Sequence, residues 1–98
     1  MILVIGSVIV RDAGFDQALA LSQEHVARSR TEPGCLAHAV HIDAENPLRL
    51  VFVEQWADAP ALAQHFKVPA SRAFAKALSG LAVEAPAMAV YEAAQVAV

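Results

Sequence analysis

From Leu50 to Trp56 the chain reads Leu-Val-Phe-Val-Glu-Gln-Trp. This run constrains the fold more than any other. Taken as extended, it sends Leu50, Phe52, Glu54 and Trp56 to one side and Val51, Val53 and Gln55 to the other. A carboxylate thereby falls between two large aromatic rings, where it costs several kcal/mol (roughly) if buried without a partner. Glu54 must therefore be partnered, protonated or close to water. Asp58 and Pro60 then mark a helix start, a capping oxygen followed by a residue suited to the first turn. On that helix Leu62 and Phe66 stand one turn apart with His65 at the edge of the same buried face. Glu54, Trp56 and His65 are thus offered to one common space.

Around this strand and helix the other elements fall into place. Ile2 to Val10 is rich in Val and Ile and reads as a strand covered on both faces, not as a signal segment. Gly6 interrupts it, which marks Ser7 as a residue expected to face a pocket. Arg11 to Gly14 is a turn. Phe15, Ala18, Leu19, Ser22 and Val26 then form the inner line of an amphipathic helix of about four turns, with Asp16, Gln17, Gln23, Glu24, Arg28 and Arg30 away from it. Pro33-Gly34 closes that helix. Cys35 to Asp43 reads as a second strand, and Ala44 to Pro47 as the turn of a hairpin returning through Arg49 to Trp56.

After the helix that starts at Asp58, the segment Lys67-Val-Pro-Ala70 breaks the pattern. A further short helix carries Phe74, Ala77 and Leu78 on one side and is expected to end at Gly80. Ala87 to Ala93 is a last strand, and the apolar Ala94 to Val98 is expected to extend it or to lie on a partner subunit. The order βαββαβ predicts a ferredoxin-like α+β sandwich, a four-stranded antiparallel sheet with helices on one face and the other face bare. The 98 residues are read as one domain, 1–98.

Composition then decides what covers the bare face. With 57% hydrophobic and 17% charged residues, the chain is more apolar than an ordinary domain of this length. A second copy packed sheet to sheet, a homodimeric α+β barrel, accounts for the excess. The net charge of −3 and the lack of a basic run argue against nucleic acid and anionic membranes. Cys35 has no intrachain partner, fits a reducing cytoplasm and is expected to be a small buried hydrophobe. His38 and His41 lie three apart in a strand, on opposite faces, so that pair cannot chelate one ion. The sequence alone assigns no role to His25, His38 or His41.

Three fragments in this order and spacing resemble the antibiotic biosynthesis monooxygenase family: Glu32-Pro-Gly-Cys-Leu36, Asp43 through Pro47, and Glu54-Gln-Trp56 leading to His65. The resemblance spans nearly the full chain. It implies a pocket between sheet and helices, with Trp56 and His65 as catalytic residues and Ser7, Phe52, Glu54 and Phe66 as substrate-binding ones. Trp56 would stack on an aromatic substrate and His65 would deprotonate a phenolic hydroxyl. Relatives commonly carry an Asn where Ser7 stands, and Ser reaches less far than an amide. The implied function is a monooxygenase of quinols or polycyclic phenols that uses dioxygen without cofactor or metal. A non-catalytic dimeric barrel holding a small apolar or aromatic ligand is the alternative, and a haem-degrading relative the third reading.

Overall fold

The computed structural model describes residues 1–98. Strand β1 (Ile2–Ile9) leads through a 3-10 turn (Asp12–Gly14) into helix α1 (Phe15–Ser29). Strands β2 (Cys35–Ile42) and β3 (Arg49–Trp56) follow, then helices α2 (Ala59–Lys67) and α3 (Pro69–Leu81), then strand β4 (Ala87–Glu92). The sheet order is β2-β3-β1-β4 with every neighbouring pair antiparallel. This is the ferredoxin-like α+β arrangement that the element order predicts.

The alternation in β3 is what sets the layers. Leu50, Phe52, Glu54 and Trp56 are all buried, whereas Val51, Val53 and Gln55 are only partly covered. Register carries this division across the sheet, since Val4 pairs with Glu54, Gly6 with Phe52 and His38 with Glu54 on the helix-covered side. On the opposite face Leu3, Ile5, Val51, Val53, Ala89 and Tyr91 share positions through the same pairings. Ile5 and Tyr91 remain about half exposed there.

Local chemistry fixes the helix starts and stops. The Asp58 carboxylate accepts the Ala61 backbone N–H at 2.9 Å and caps α2. Val68 ends α2 and begins α3 in one extended residue (φ −63°, ψ 123°), as the residue before Pro69 is pushed to do. Two boundary expectations are corrected. Helix α3 runs through Gly80 to Leu81, because its end is set by tertiary pairing and not by a left-handed glycine. Leu81 accepts the Arg11 backbone N–H, Ala82 bridges to Val10, and the Arg11 guanidinium donates to the carbonyls of Gly80 and Ala82. The tail from Ala94 does not extend β4, whose last contact is Ala93 N–H to the Met1 carbonyl at 2.9 Å.

Gly34 is the one residue with a left-handed backbone (φ 81°). A side chain there would also meet the Ala61 Cβ at 2.5 Å. Its carbonyl accepts the Ala57 N–H at 2.8 Å, so the loop after α1 is locked onto the start of α2. Gly34→Ala is therefore expected to lower unfolding stability by ~1–3 kcal/mol from backbone conformation alone, with the clash against Ala61 adding to it. Urea denaturation of the variant checks this, and an unchanged midpoint would show that the loop yields freely.

Candidate functional site

The helix-covered side of the sheet holds two apolar clusters, one around Val8, Leu50, Phe52 and Leu78, the other around Ile2, Val4, Trp56 and Leu62. Along β3 the residue between Phe52 and Trp56 is Glu54, and a polar group surrounds it. His38 comes from β2, His25 from α1 and His65 from α2. All four side chains are buried, between 2% and 6% exposed.

The burial of Glu54 is answered by partners. The Trp56 indole N–H donates to its Oε1 at 2.9 Å. His38 Nε2 lies 3.3 Å from the same oxygen, a long contact that still favours the carboxylate, whereas His38 Nδ1 has no hydrogen-bond partner. Burial opposes ionisation of Glu54, but His38, the indole N–H and His65 together outweigh it and hold the carboxyl below its usual range. An ionised Glu54 inside the fold is the consequence.

His65 is positioned by the loop that Gly34 locks. Its Nδ1 lies 2.8 Å from Oε1 of Glu32, whose side chain is only 14% exposed. A carboxylate can only accept, so Nδ1 carries a proton, and in the neutral ring Nε2 is the nitrogen with the lone pair. Arg28 Nη2 lies 2.8 Å from His25 Nδ1, and because a guanidinium can only donate, this nitrogen accepts and Nε2 bears the hydrogen. The His25 ring also stacks on Phe74, with centroids 4.1 Å apart and planes 8° apart. Burial first, then the nearby His38, His65 and Arg28, push its pKa down to about 3. His25 is neutral at physiological pH.

A cavity of about 350 Å³ opens beside this cluster, between the sheet and α3. His25, Glu54 and His65 form its polar end and Phe52, Phe66 and Phe74 its aromatic walls, with Ser71 beside them, its buried Oγ without a hydrogen-bond partner.

The structure brings together most of the residues that the sequence singles out, with two corrections. Trp56 sits beside His65 (ring centroids 4.6 Å apart), yet it is fully buried and does not line the cavity. Its indole is turned to Glu54, so no ring face is left for a substrate to stack on. Ser7 lines the cavity as expected, although strand alternation places its side chain with Ile5 on the other face of the sheet. The position that faces inward is Gly6, and its missing side chain leaves the space. Phe66 is 42% exposed at the cavity wall, whereas Leu62 and His65 form the buried face of α2. Phe52 and Glu54 line the cavity.

Four further residues were not visible in the sequence as a group: His25, Glu32, His38 and Ser71. His25 follows Ala18 and Ser22 and precedes Ser29 on the buried line of α1, a spacing that could have found it. His38 and His41 lie as expected, one buried and one exposed. Cys35 is a correction, only partly covered against the Trp56 cluster. Burial and the nearby Glu32 and Glu54 raise its thiol pKa, which keeps it protonated and unreactive.

The groups that could hold a metal are His25, His38 and His65, each offering a ring nitrogen within 4.8 Å of the others.

Comparison with known proteins places this geometry. The sequence profile of the antibiotic biosynthesis monooxygenases matches residues 1–77. The chain belongs to the antibiotic biosynthesis monooxygenase family. A crystal structure of an antibiotic biosynthesis monooxygenase superposes with a TM-score of 0.90 at 26% identity, over 97% of this chain and 100% of that one. Rv0793 from Mycobacterium tuberculosis shares the fold, with a TM-score of 0.91 at 22% identity over 99% and 98% of the two chains. The uncharacterized protein sll1783 of Synechocystis sp. is 29% identical over 94 residues, which are 96% of this chain but 64% of that protein's length. No helix of this family member is long and apolar enough to cross a membrane.

The electrostatics give a pH dependence with one sign. His25 has a folded pKa near 3 against about 6.5 unfolded, so the unfolded chain binds the extra proton between these values. Stability is complete above about pH 6.5 and falls as pH drops toward 3. Glu54, with its pKa also lowered, adds a loss in the same direction as pH falls through its folded value. Urea titrations between pH 8 and 3 should show this decline, and His25→Phe should flatten the part of it above the carboxylate range.

Proposed function

We propose that this chain is a monooxygenase that oxidises a hydroquinone or related polycyclic phenol with dioxygen, needing no organic cofactor. The observation that carries the reading is the Glu32–His65 pair at 2.8 Å beside an aromatic-walled cavity. With Nδ1 committed to Glu32, the Nε2 lone pair of His65 is the group able to take a phenolic proton. Phe52, Phe66 and Phe74 supply apolar walls of the kind an aromatic ring seeks, and Ser71 offers a hydroxyl to a second substrate oxygen.

The chemistry needs little beyond this. Removing a proton makes a hydroquinone a strong reductant, which passes an electron to dioxygen and recombines with the superoxide formed. One oxygen atom enters the ring and the other leaves as water, so hydroquinone and dioxygen give hydroxyquinone and water. The substrate supplies all four electrons. The protein binds, deprotonates and excludes water. Trp56 acts through Glu54 as a positioning residue in this reading, not as a stacking partner.

The open sheet face supports a homodimer. Leu3, Ile5, Val51, Val53 and Tyr91 form an apolar layer that a second copy would cover face to face. Ile5→Asp should shift the protein toward monomer in sedimentation velocity, and a monomeric wild type would remove the dimer from the proposal.

Oxygen uptake on a panel of hydroquinones and anthrones, with chelator present and no flavin added, tests the function. Turnover is expected, with His65→Ala lowering kcat by ~10²–10⁴ while the fold persists, and Glu32→Gln lowering it less. Saturable binding without oxygen uptake would instead make the chain a carrier of aromatic ligands.

A further inference from the structure

His25, His38 and His65 come from α1, β2 and α2, and each is at least nine-tenths buried. We propose that these three imidazoles form a binding site for a single divalent transition-metal ion, with the coordination position left over turned toward the cavity.

The distances fit. The ring nitrogens lie within 4.8 Å of one another, so an ion at their centre stands at most ~2.8 Å from each, and bonds of about 2.0–2.1 Å need ~0.7 Å of movement per ring. Side-chain rotation supplies that without moving the backbone. The second observation is His38. Its Nδ1 is buried with no hydrogen-bond partner and its Nε2 has only the long 3.3 Å contact to Glu54, a costly state for an imidazole in the middle of a fold. A metal bond at one of them removes the deficit.

The surroundings favour an ion as well. Glu32 holds Nδ1 of His65 and leaves Nε2 as the nitrogen available to an ion, the carboxylate–histidine arrangement that orients metal-binding imidazoles. Glu54 and Glu32 bring two carboxylates beside the imidazoles and offset part of a dication's charge, against the guanidinium of Arg28 at His25 and that of Arg30 on the His38 carbonyl. The cavity reaches His25 and His65 and gives a path of entry. Three neutral nitrogen donors select zinc-like ions over magnesium or calcium, which seek oxygen.

One contact opposes binding and supplies a discriminating variant. Arg28 donates to His25 Nδ1, which leaves the proton on Nε2. A metal at Nε2 requires that proton to move to Nδ1 and Arg28 to withdraw. Arg28→Gln removes the positive charge and offers an amide oxygen to Nδ1–H, so it should tighten binding. This site does not rest on the oxygenase reading and competes with it at one atom, because an ion on His65 Nε2 would occupy the nitrogen that reading uses as base.

The test uses the full chain stripped with chelator. Zinc competition against a chromophoric chelator should give one ion per chain, and cobalt(II) should give visible d–d bands without the near-ultraviolet thiolate charge transfer that Cys35 would add. His38→Gln should weaken zinc binding by about 100-fold or more, with folding checked by circular dichroism, and His41→Gln should leave it unchanged. Should His38→Gln fail to fold, the cobalt spectrum of the wild type decides. Absence of stoichiometric zinc uptake, a thiolate band, or full affinity in a folded His38→Gln variant would each overturn the site. Affinity that does not rise in Arg28→Gln would take His25 out of the ligand set and the three-imidazole site with it.

Discussion

A carboxylate in the middle of a buried strand is the constraint from which the rest of this molecule follows. Glu54 is 6% exposed and lies between Phe52 and Trp56 on one side of β3. Left alone it would cost more than either aromatic contributes by burial. It is kept charged by an indole N–H at 2.9 Å and by His38 at 3.3 Å. Both partners are held in turn by the sheet, Trp56 two residues along the same strand and His38 directly across the ladder. The strand that organises the core therefore also organises its polar interior. The apolar core divides into two clusters around that interior.

The second determinant is the loop between α1 and β2. Glu32-Pro33-Gly34 does more than end a helix. Gly34 adopts a backbone conformation that other residues resist, presses against Ala61 and accepts from Ala57, so the loop is fixed on the first turn of α2. His65 stands one turn further along that helix, and Glu32 meets it at 2.8 Å. A turn signal in the sequence is thus the device that gives a histidine its tautomer. Stability and acid–base chemistry share one loop.

How much of this the sequence reveals depends on whether the cause is local. Alternation in β3, the Asp58 cap and the Pro69 break act over a few residues, and each is found where those rules put it. The two faces of β2 are equally readable, with His38 inside and His41 outside. What escapes is the pairing of groups far apart in the chain. Glu32 and His65 are separated by 33 positions, and no pattern in either segment points to the other. Trp56 illustrates a different limit. Its face was legible, but whether an indole lines a cavity or backs it depends on what it bonds to, and Glu54 was waiting two residues away. Ser7 and Gly6 show how a one-residue shift in a strand exchanges the faces.

The charged side chains around the cluster set the tautomers of two of its rings. Arg28 leaves the hydrogen of neutral His25 on Nε2, while Glu32 keeps a proton on Nδ1 of His65. Neither ring can take over the other's role without breaking a 2.8 Å contact to a charged side chain. The low pKa of His25 adds to this division, because that ring stays neutral down to about pH 3. Acid–base polarity across the cavity is therefore built from two outer charges, Arg28 on one helix and Glu32 on the loop that follows it.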